Sequence, residues 1–275
     1  LARHGGMDGY VAAKRRIFQG MERRGTAIVA VDDDHTRAIA ADLARAGVTV
    51  VPVSAEGPCD GAHVIDGVLH DGRNGPVIDL TGIPALPGRH NWQNAAAAYA
   101  ATRAAGADPA MILEGLRSFP GLAHRQQLVA EHEGVRFVND SKATNADAAA
   151  KALVCYDPIY WILGGRAKEG GLDGLEPLMP RVRHAYLIGE ATEDFAAWLG
   201  RNGVPFSRCG TLDRAVAAAA AQARAEAQAG ACVLLSPACA SWDQFASFEQ
   251  RGAAFADLVR SDRVHQEAVP AGGAA

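Results

Sequence analysis

Asp140, Lys142, Lys168 and Ser241 are the side chains best suited to chemistry here, and each lies just beyond an apolar run. Asn139-Asp140-Ser141-Lys142 follows FV, Gly164–Lys168 follows WIL, and Ser236–Ser241 follows VLL. If those runs are parallel strands, their carboxyl ends share one edge, where a crevice can hold a ligand. Two lysines beside hydroxyls suit an anion that carries carboxylate or phosphate. One polar loop after a strand is ordinary in any parallel sheet; three of them, each bearing a cation or a hydroxyl, carry more.

Other chemistry is weakly signalled. LGGRAKEGG (163–171) lacks G-x-G-x-x-G, and no acidic residue closes a following strand, so it is no dinucleotide fingerprint. No G-x-x-x-x-G-K-[ST] occurs in the 275 residues, which therefore hold no P-loop. His4, His70, His124 and His132 lack metal-ligand spacing and read as surface or packing histidines. Cys239 lies inside the third segment without an identifiable base and reads as a small packing residue.

The elements that must position these residues follow from periodicity. Ala27–Val31 and Val48–Val53 read as strands around a helix marked by Ile39, Leu43 and Ala44. HVIDGVLHDGRNGPVIDL (63–80) reads as short antiparallel strands with tight Asp-Gly and Asn-Gly turns. An Ala-rich helix spans Asn91–Ala107, and a second follows Asp108 as N-cap with Pro109 in its first turn, to about Leu116. Phe119-Pro120-Gly121 reads as a linker, so a boundary is expected near residue 122. Beyond it strands and helices alternate. Strands are expected at Val135–Val138, Ile159–Leu163, Ala185–Ile188 and Cys232–Leu235. Helices are expected at Asn145–Val154, Gly171–Met179, Thr192–Leu199, Phe248–Val259, and from a Thr211 N-cap to about Ala229. That alternation implies an α/β fold with a mostly parallel sheet covered on both faces, and a frayed tail over 266–275.

Composition narrows the class. With 49% hydrophobic and 21% charged residues, the chain is an ordinary globular protein of about two domains. A net charge of −4 offers no basic field for nucleic acid or an anionic membrane, and no apolar stretch approaches a membrane span. Five scattered cysteines without C-x-x-C spacing suit a reducing cytoplasm. The opening LARHGGMDGY has no initiator Met and reads as a cut from something longer.

At NDSKATN (139–145), SPACASWDQFASFEQRGAAF (236–255) and GRHNWQN (88–94), the sequence resembles the Mur ligases, most of all their D-glutamate-adding branch. YVAAKRRIF (10–18), LAHR (122–125) and LGGRAKEGG (163–171) support the likeness, in order and over roughly residues 1 to 260. GRHN-x-x-N and the LxHR segment are shared broadly among these ligases; the S-P-A-C-A-S segment marks the branch. The resemblance implies the later part of a central ATPase domain over 1–122, without its P-loop, and a Rossmann-like amino-acid domain over 123–265. It implies ATP and Mg2+ as cofactors, UDP-N-acetylmuramoyl-L-alanine and D-glutamate as substrates, and a cytoplasmic monomer with neither nucleic-acid nor membrane partner. It also implies that these residues alone lack ligase activity.

The same resemblance assigns roles. Lys14 matches a lysine that becomes a carbamate and helps hold Mg2+, the histidine ligand falling before residue 1; read alone, it is a solvated lysine beside Arg15 and Arg16. Asn91 and Asn94, three apart on one helix, match adenine contacts, although Asn91 equally suits a helix cap. Arg125 and Asp140 match contacts to ATP phosphate and ribose. Lys142, Thr144, Lys168, Ser241, Trp242 and Phe248 match the D-glutamate site, with Trp242 where leucine is frequent and Phe248 otherwise a core residue. Two rival readings stand beside this one: another Mur or folylpolyglutamate-type ligase, and a non-catalytic module that binds an amino acid or nucleotide.

Overall fold

The computed structural model describes residues 4–21, 25–72 and 74–261. Its contacts divide the chain into two units, Leu1–Phe119 and Pro120–Ala275. The tail expected to fray, 266–275, lies outside the described residues.

In the first unit five strands pair in sequence order: β1 (Thr26–Ala30), β2 (Thr49–Ser54), β3 (Ala62–Ile65), β4 (Val68–Asp71) and β5 (Pro76–Asp79). The first three are parallel and the last two pairings antiparallel. Asp66 and Gly67 join β3 to β4 with φ of 49° and 81°, the left-handed pair that a two-residue hairpin turn requires. Helices α1 (Met7–Arg15), α2 (Asp34–Arg45), α3 (Arg89–Ala104) and α4 (Pro109–Ser118) complete the unit. Asp33 caps α2 by accepting from Thr36 N at 3.0 Å, and Asp108 caps α4 by accepting from Ala110 N at 2.8 Å. Small side chains on one face of α3, Ala95, Ala96 and Ala100, let it lie against β3 with Leu69, Leu80 and Tyr99 in one core.

The second unit is a six-stranded sheet. Its strands are β6 (Gln127–His132), β7 (Val135–Asn139), β8 (Ile159–Gly164), β9 (Val182–Ile188), β10 (Phe206–Gly210) and β11 (Cys232–Leu235). They lie in the order β10-β9-β8-β11-β7-β6, all parallel except β6, which runs antiparallel to β7. Strand residues alternate between two cores, as a period of two demands. Ile159, Trp161 and Leu163 face α5 (Ala146–Leu153) and α6 (Thr192–Arg201); Tyr160 and Ile162 face α7 (Leu212–Glu226) and α8 (Phe248–Arg260). Both faces are covered, as the near-continuous apolar strands require.

Several local expectations fail for identifiable reasons. Gly171–Met179 is not an α-helix. Gly170, Gly171 and Gly174 all take positive φ, and Pro177 and Pro180 lack N–H donors, so only a short 3-10 segment forms at Glu176–Arg181. Thr211 occupies the N-cap of α7 without a capping bond, because its hydroxyl goes to the Asp213 carboxylate and holds that group below its usual range. That helix stops at Glu226, where Ala227 turns left-handed. Strands β6 and β10 are additions to the reading: β6 enters through a Glu133-Gly134 turn rather than an Asn-Gly signal, and β10 is a short polar edge.

Candidate functional site

The carboxyl ends of β7, β8 and β11 lie side by side, and backbone bonds stitch the loops that leave them. Asp140 N donates to Leu235 O at 2.7 Å, Ser236 N to Ile162 O at 3.2 Å, and Gly164 N to Pro237 O at 2.9 Å. Arg166 and Ala240 exchange both backbone bonds, at 2.9 and 3.0 Å. The Gly164-Gly165 pair exists for this approach. A Cβ on Gly164 would stand 2.0 Å from Ile188 O, and one on Gly165 2.4 Å from Ala240 O.

Along this edge the two lysines reach different partners. Lys168 Nζ lies 3.3 Å from Thr144 Oγ1, spanning the loops after β8 and β7. Lys142 Nζ sits 3.8 Å above the Phe248 ring, a cation held on an aromatic face. Ser241 is buried at 2% exposure, whereas the next residue, Trp242, is 69% exposed. Asp243, the residue after it, accepts from Glu190 N at 3.0 Å, and a side chain on Gly189 would collide with that carboxylate. The edge thus offers two ammonium groups, hydroxyls and an exposed aromatic side chain.

Asp140 is 6% exposed. Its Oδ2 accepts from Ser236 Oγ at 2.8 Å and its Oδ1 from Gln126 N at 3.2 Å. Burial raises its pKa to about 7 against those hydrogen bonds and the nearby Arg125 charge. The Gln126 bond closes a turn in which His124 and Gln126 take φ of 63° and 43°, and this turn presents Arg125 to solvent. Of the two readings, surface or packing, His124 takes the second: Asn139 Nδ2 lies 3.1 Å from its Nδ1, and the Phe248 ring meets it edge-on at 6.3 Å. Its place inside the quoted LAHR segment was the available signal.

In the first unit, Asn91 and Asn94 lie three apart on α3. Asn91 is not the cap; Gly88 holds that position with φ 80°, and Asn91 Nδ2 donates back to Pro87 O at 2.8 Å. Asn94 borders an apolar recess of about 500 Å³ between α3 and α4, with Ala98, Met111 and Phe119. Lys14 is exposed on α1, its Nζ 5.4 Å from the Tyr10 ring centroid.

The Mur ligase middle-domain family matches residues 1–102, and the Mur ligase glutamate-ligase-domain family matches residues 124–239. The chain belongs to the Mur ligase family. It is 57% identical over 262 residues to a UDP-N-acetylmuramoylalanine--D-glutamate ligase of Paramagnetospirillum magneticum, covering 95% of this chain and 57% of that protein. It is also 57% identical over 273 residues to the Rhodospirillum rubrum protein of the same name, covering 98% and 57%. The chain therefore spans little more than half the length of the curated relatives it matches. Among solved structures, MurF from Acinetobacter baumannii superposes with a TM-score of 0.66 at 21% identity, over 95% of this chain and 57% of that one. That likeness concerns the fold.

For a Mur ligase the implied magnesium can be tested against the residues present. Mg2+ demands several oxygen ligands in near-octahedral order. Among the described residues no group of three or more His, Cys, Asp or Glu gathers, and Lys14 supplies one side chain. These residues do not build a magnesium site by themselves. The residue at this edge that sequence reasoning passed over is Arg251, which lies inside the quoted S-P-A-C-A-S segment and is the second-largest fully buried side chain, after Trp161. No helix among the described residues is long and apolar enough to cross a membrane.

Proposed function

We propose that this chain serves an ATP-dependent ligase that joins D-glutamate to UDP-N-acetylmuramoyl-L-alanine in peptidoglycan precursor synthesis. The observation that carries the reading is the edge where Lys142, Thr144, Lys168 and Ser241 emerge together from three strand ends. D-Glutamate has two carboxylates, and two ammonium groups with hydroxyls are the complement such a diacid needs. The names of the 57%-identical relatives, D-glutamate ligases, support D-glutamate as that diacid.

An amide does not form from a carboxylate and an amine in water without activation. In this reaction ATP transfers its γ-phosphoryl group to the L-alanine carboxylate, giving an acyl phosphate. The D-glutamate amine then attacks that carbonyl carbon, the tetrahedral intermediate collapses, and the C–O bond to phosphate breaks. The protein orients the partners and offsets charge. In this assignment Lys142 and Lys168 neutralise the carboxylates, while Thr144, Ser241 and the Trp242 backbone set their orientation. Phe248 holds Lys142 in place through its ring. Asn91 and Asn94 are assigned to adenine, Arg125 to phosphate and Asp140 to ribose. Lys14, as a carbamate, would supply an oxygen to a Mg2+ whose remaining ligands are not gathered among the described residues; crystal density beyond its Nζ is the test, and a plain amine there counts against it.

The deciding experiment is an NMR titration of the chain with a panel of amino acids. D-Glutamate is expected to shift the amides of Lys142, Thr144, Lys168 and Ser241, while L-glutamate and meso-diaminopimelate leave them in place. Preference for another amino acid would move the assignment to a different ligase of the family. No response to any of them would remove the amino-acid site.

A further inference from the structure

Arg251 is 1% exposed, and its guanidinium reaches two of the three loops at the strand edge. Nε donates to Ser141 Oγ at 3.0 Å, and Nη2 donates to Ser141 O at 2.9 Å and to Cys239 O at 3.0 Å. Ser141 immediately precedes Lys142, and Cys239 stands two residues before Ser241. The remaining Nη1 is buried without a hydrogen-bond partner and lies 3.3 Å from where a Gly165 Cβ would stand, so the third loop also borders this group. Neighbouring residues of α8 continue the seam: Phe248 O accepts from Ser141 Oγ at 2.8 Å, and Gly252 O accepts from Asn139 Nδ2 at 2.8 Å.

A purely architectural arginine is expected to be paired. No carboxylate among the described residues forms an ion pair with Arg251; its hydrogen bonds all go to neutral oxygens. Burial depresses its pKa to about 10, which leaves it cationic near neutral pH. Asp243 is the one carboxylate whose field favours its charge, and it does so without direct contact; a buried cation lacking a contacting partner costs stability, and replacing it by an apolar residue of similar size is often neutral or favourable. Such an arrangement has a reason to persist where an anion binds close by.

We infer that Arg251 is a positioning residue for the proposed D-glutamate site: its planar fork sets the spacing between the loop of Lys142 and the loop of Ser241. The inference rests on reading the edge as that site. Lysine carries the same charge on a single point and cannot bridge the two loops in the same way. Charge and fork are therefore separable by substitution.

The test uses Arg251→Met and Arg251→Lys in the full chain, with three readouts: D-glutamate affinity by NMR titration, amide hydrogen exchange, and the thermal midpoint. In Arg251→Met the Lys142 and Ala240 amides, which now donate to His124 O and Arg166 O, are expected to exchange ~10-fold faster or more, and D-glutamate to bind ~10-fold more weakly or worse. The thermal midpoint is expected to stay within a few degrees of the parent. Arg251→Lys is expected to fall between the two. Loop exchange and affinity close to the parent in Arg251→Met would overturn the inference. So would faster exchange throughout the unit with a lowered midpoint, which marks a merely structural arginine. If Arg251→Met does not fold, Arg251→Lys is judged by the same criteria. If the unaltered chain itself ignores D-glutamate, the reading of the site falls, and the exchange measurement still decides whether Arg251 orders the loops.

Discussion

At the scale of residues, Lys168 and Asp140 make the sharpest statements. Lys168 reaches Thr144 across two loops, and removing its ammonium leaves a carboxylate of the proposed ligand without its cation. Lys168→Ala is expected to weaken D-glutamate binding ~10-fold to 100-fold, the range of one charge-assisted hydrogen bond, with an unchanged thermal midpoint; equal affinity in the NMR titration would remove Lys168 from the site. Asp140 acts on stability instead. Its pKa is raised from 3.8 to about 7, mainly by burial. Between those values the folded chain binds more protons than the unfolded chain, so stability falls as pH rises through that window. Asp140→Asn keeps an acceptor for Gln126 N and removes the buried charge. It is expected to flatten the pH dependence between about 4 and 7 and to add on the order of 4 kcal/mol at pH 8, at ~1.4 kcal/mol per tenfold change in proton affinity. Urea unfolding at both ends of the window reads this directly. Of the site residues, the charged and hydroxyl members were legible because they sit in short motifs after apolar runs. Arg251 was not, since nothing in a sequence distinguishes a buried helix arginine from a solvated one.

Among the elements, α8 is the one on which the site depends. Ser247 caps it by accepting from Gln250 N at 3.2 Å, and Gln250 Oε1 returns to Ala246 N at 2.7 Å, a reciprocal arrangement close to a capping box. Ser247→Ala is expected to cost ~1 kcal/mol of stability in denaturant unfolding. Gly252 has a different duty. A Cβ there would lie 2.2 Å from His124 Nδ1, so Gly252→Ala must displace the imidazole from Asn139 and Phe248. The expected readout is a shift of the His124 ring resonances, with the helix content unchanged by circular dichroism. Most elements could be read from periodicity, because β7, β8 and β11 are apolar runs bounded by polar loops. Edge strands β6 and β10 could not, since a half-exposed strand carries a weaker alternation and its pairing is decided by a neighbour far along the chain.

For the molecule as a whole, the two units have separate cores, with separate consequences. Leu69, Leu80 and Tyr99 belong to a core within the first unit; Trp161, Tyr160 and Phe255 belong to the cores of the second. Heating is therefore expected to give two calorimetric transitions, of which D-glutamate raises only the one belonging to the second unit, since a ligand stabilises what binds it. A single transition, or a shift of both, would contradict this. The amino-acid order by itself determined the α/β alternation, the family and the segments that carry cations and hydroxyls, because these are written in local periodicity and in contiguous motifs. Only the tertiary structure decided that Lys168 meets Thr144, that Lys142 rests on Phe248, and that Arg251 joins the loops of Ser141 and Cys239. Those juxtapositions depend on strand order β8-β11-β7, which places the last strand of the chain between two earlier ones. That order is settled by packing two helical layers on opposite faces of one sheet, a long-range balance that no short stretch of residues encodes.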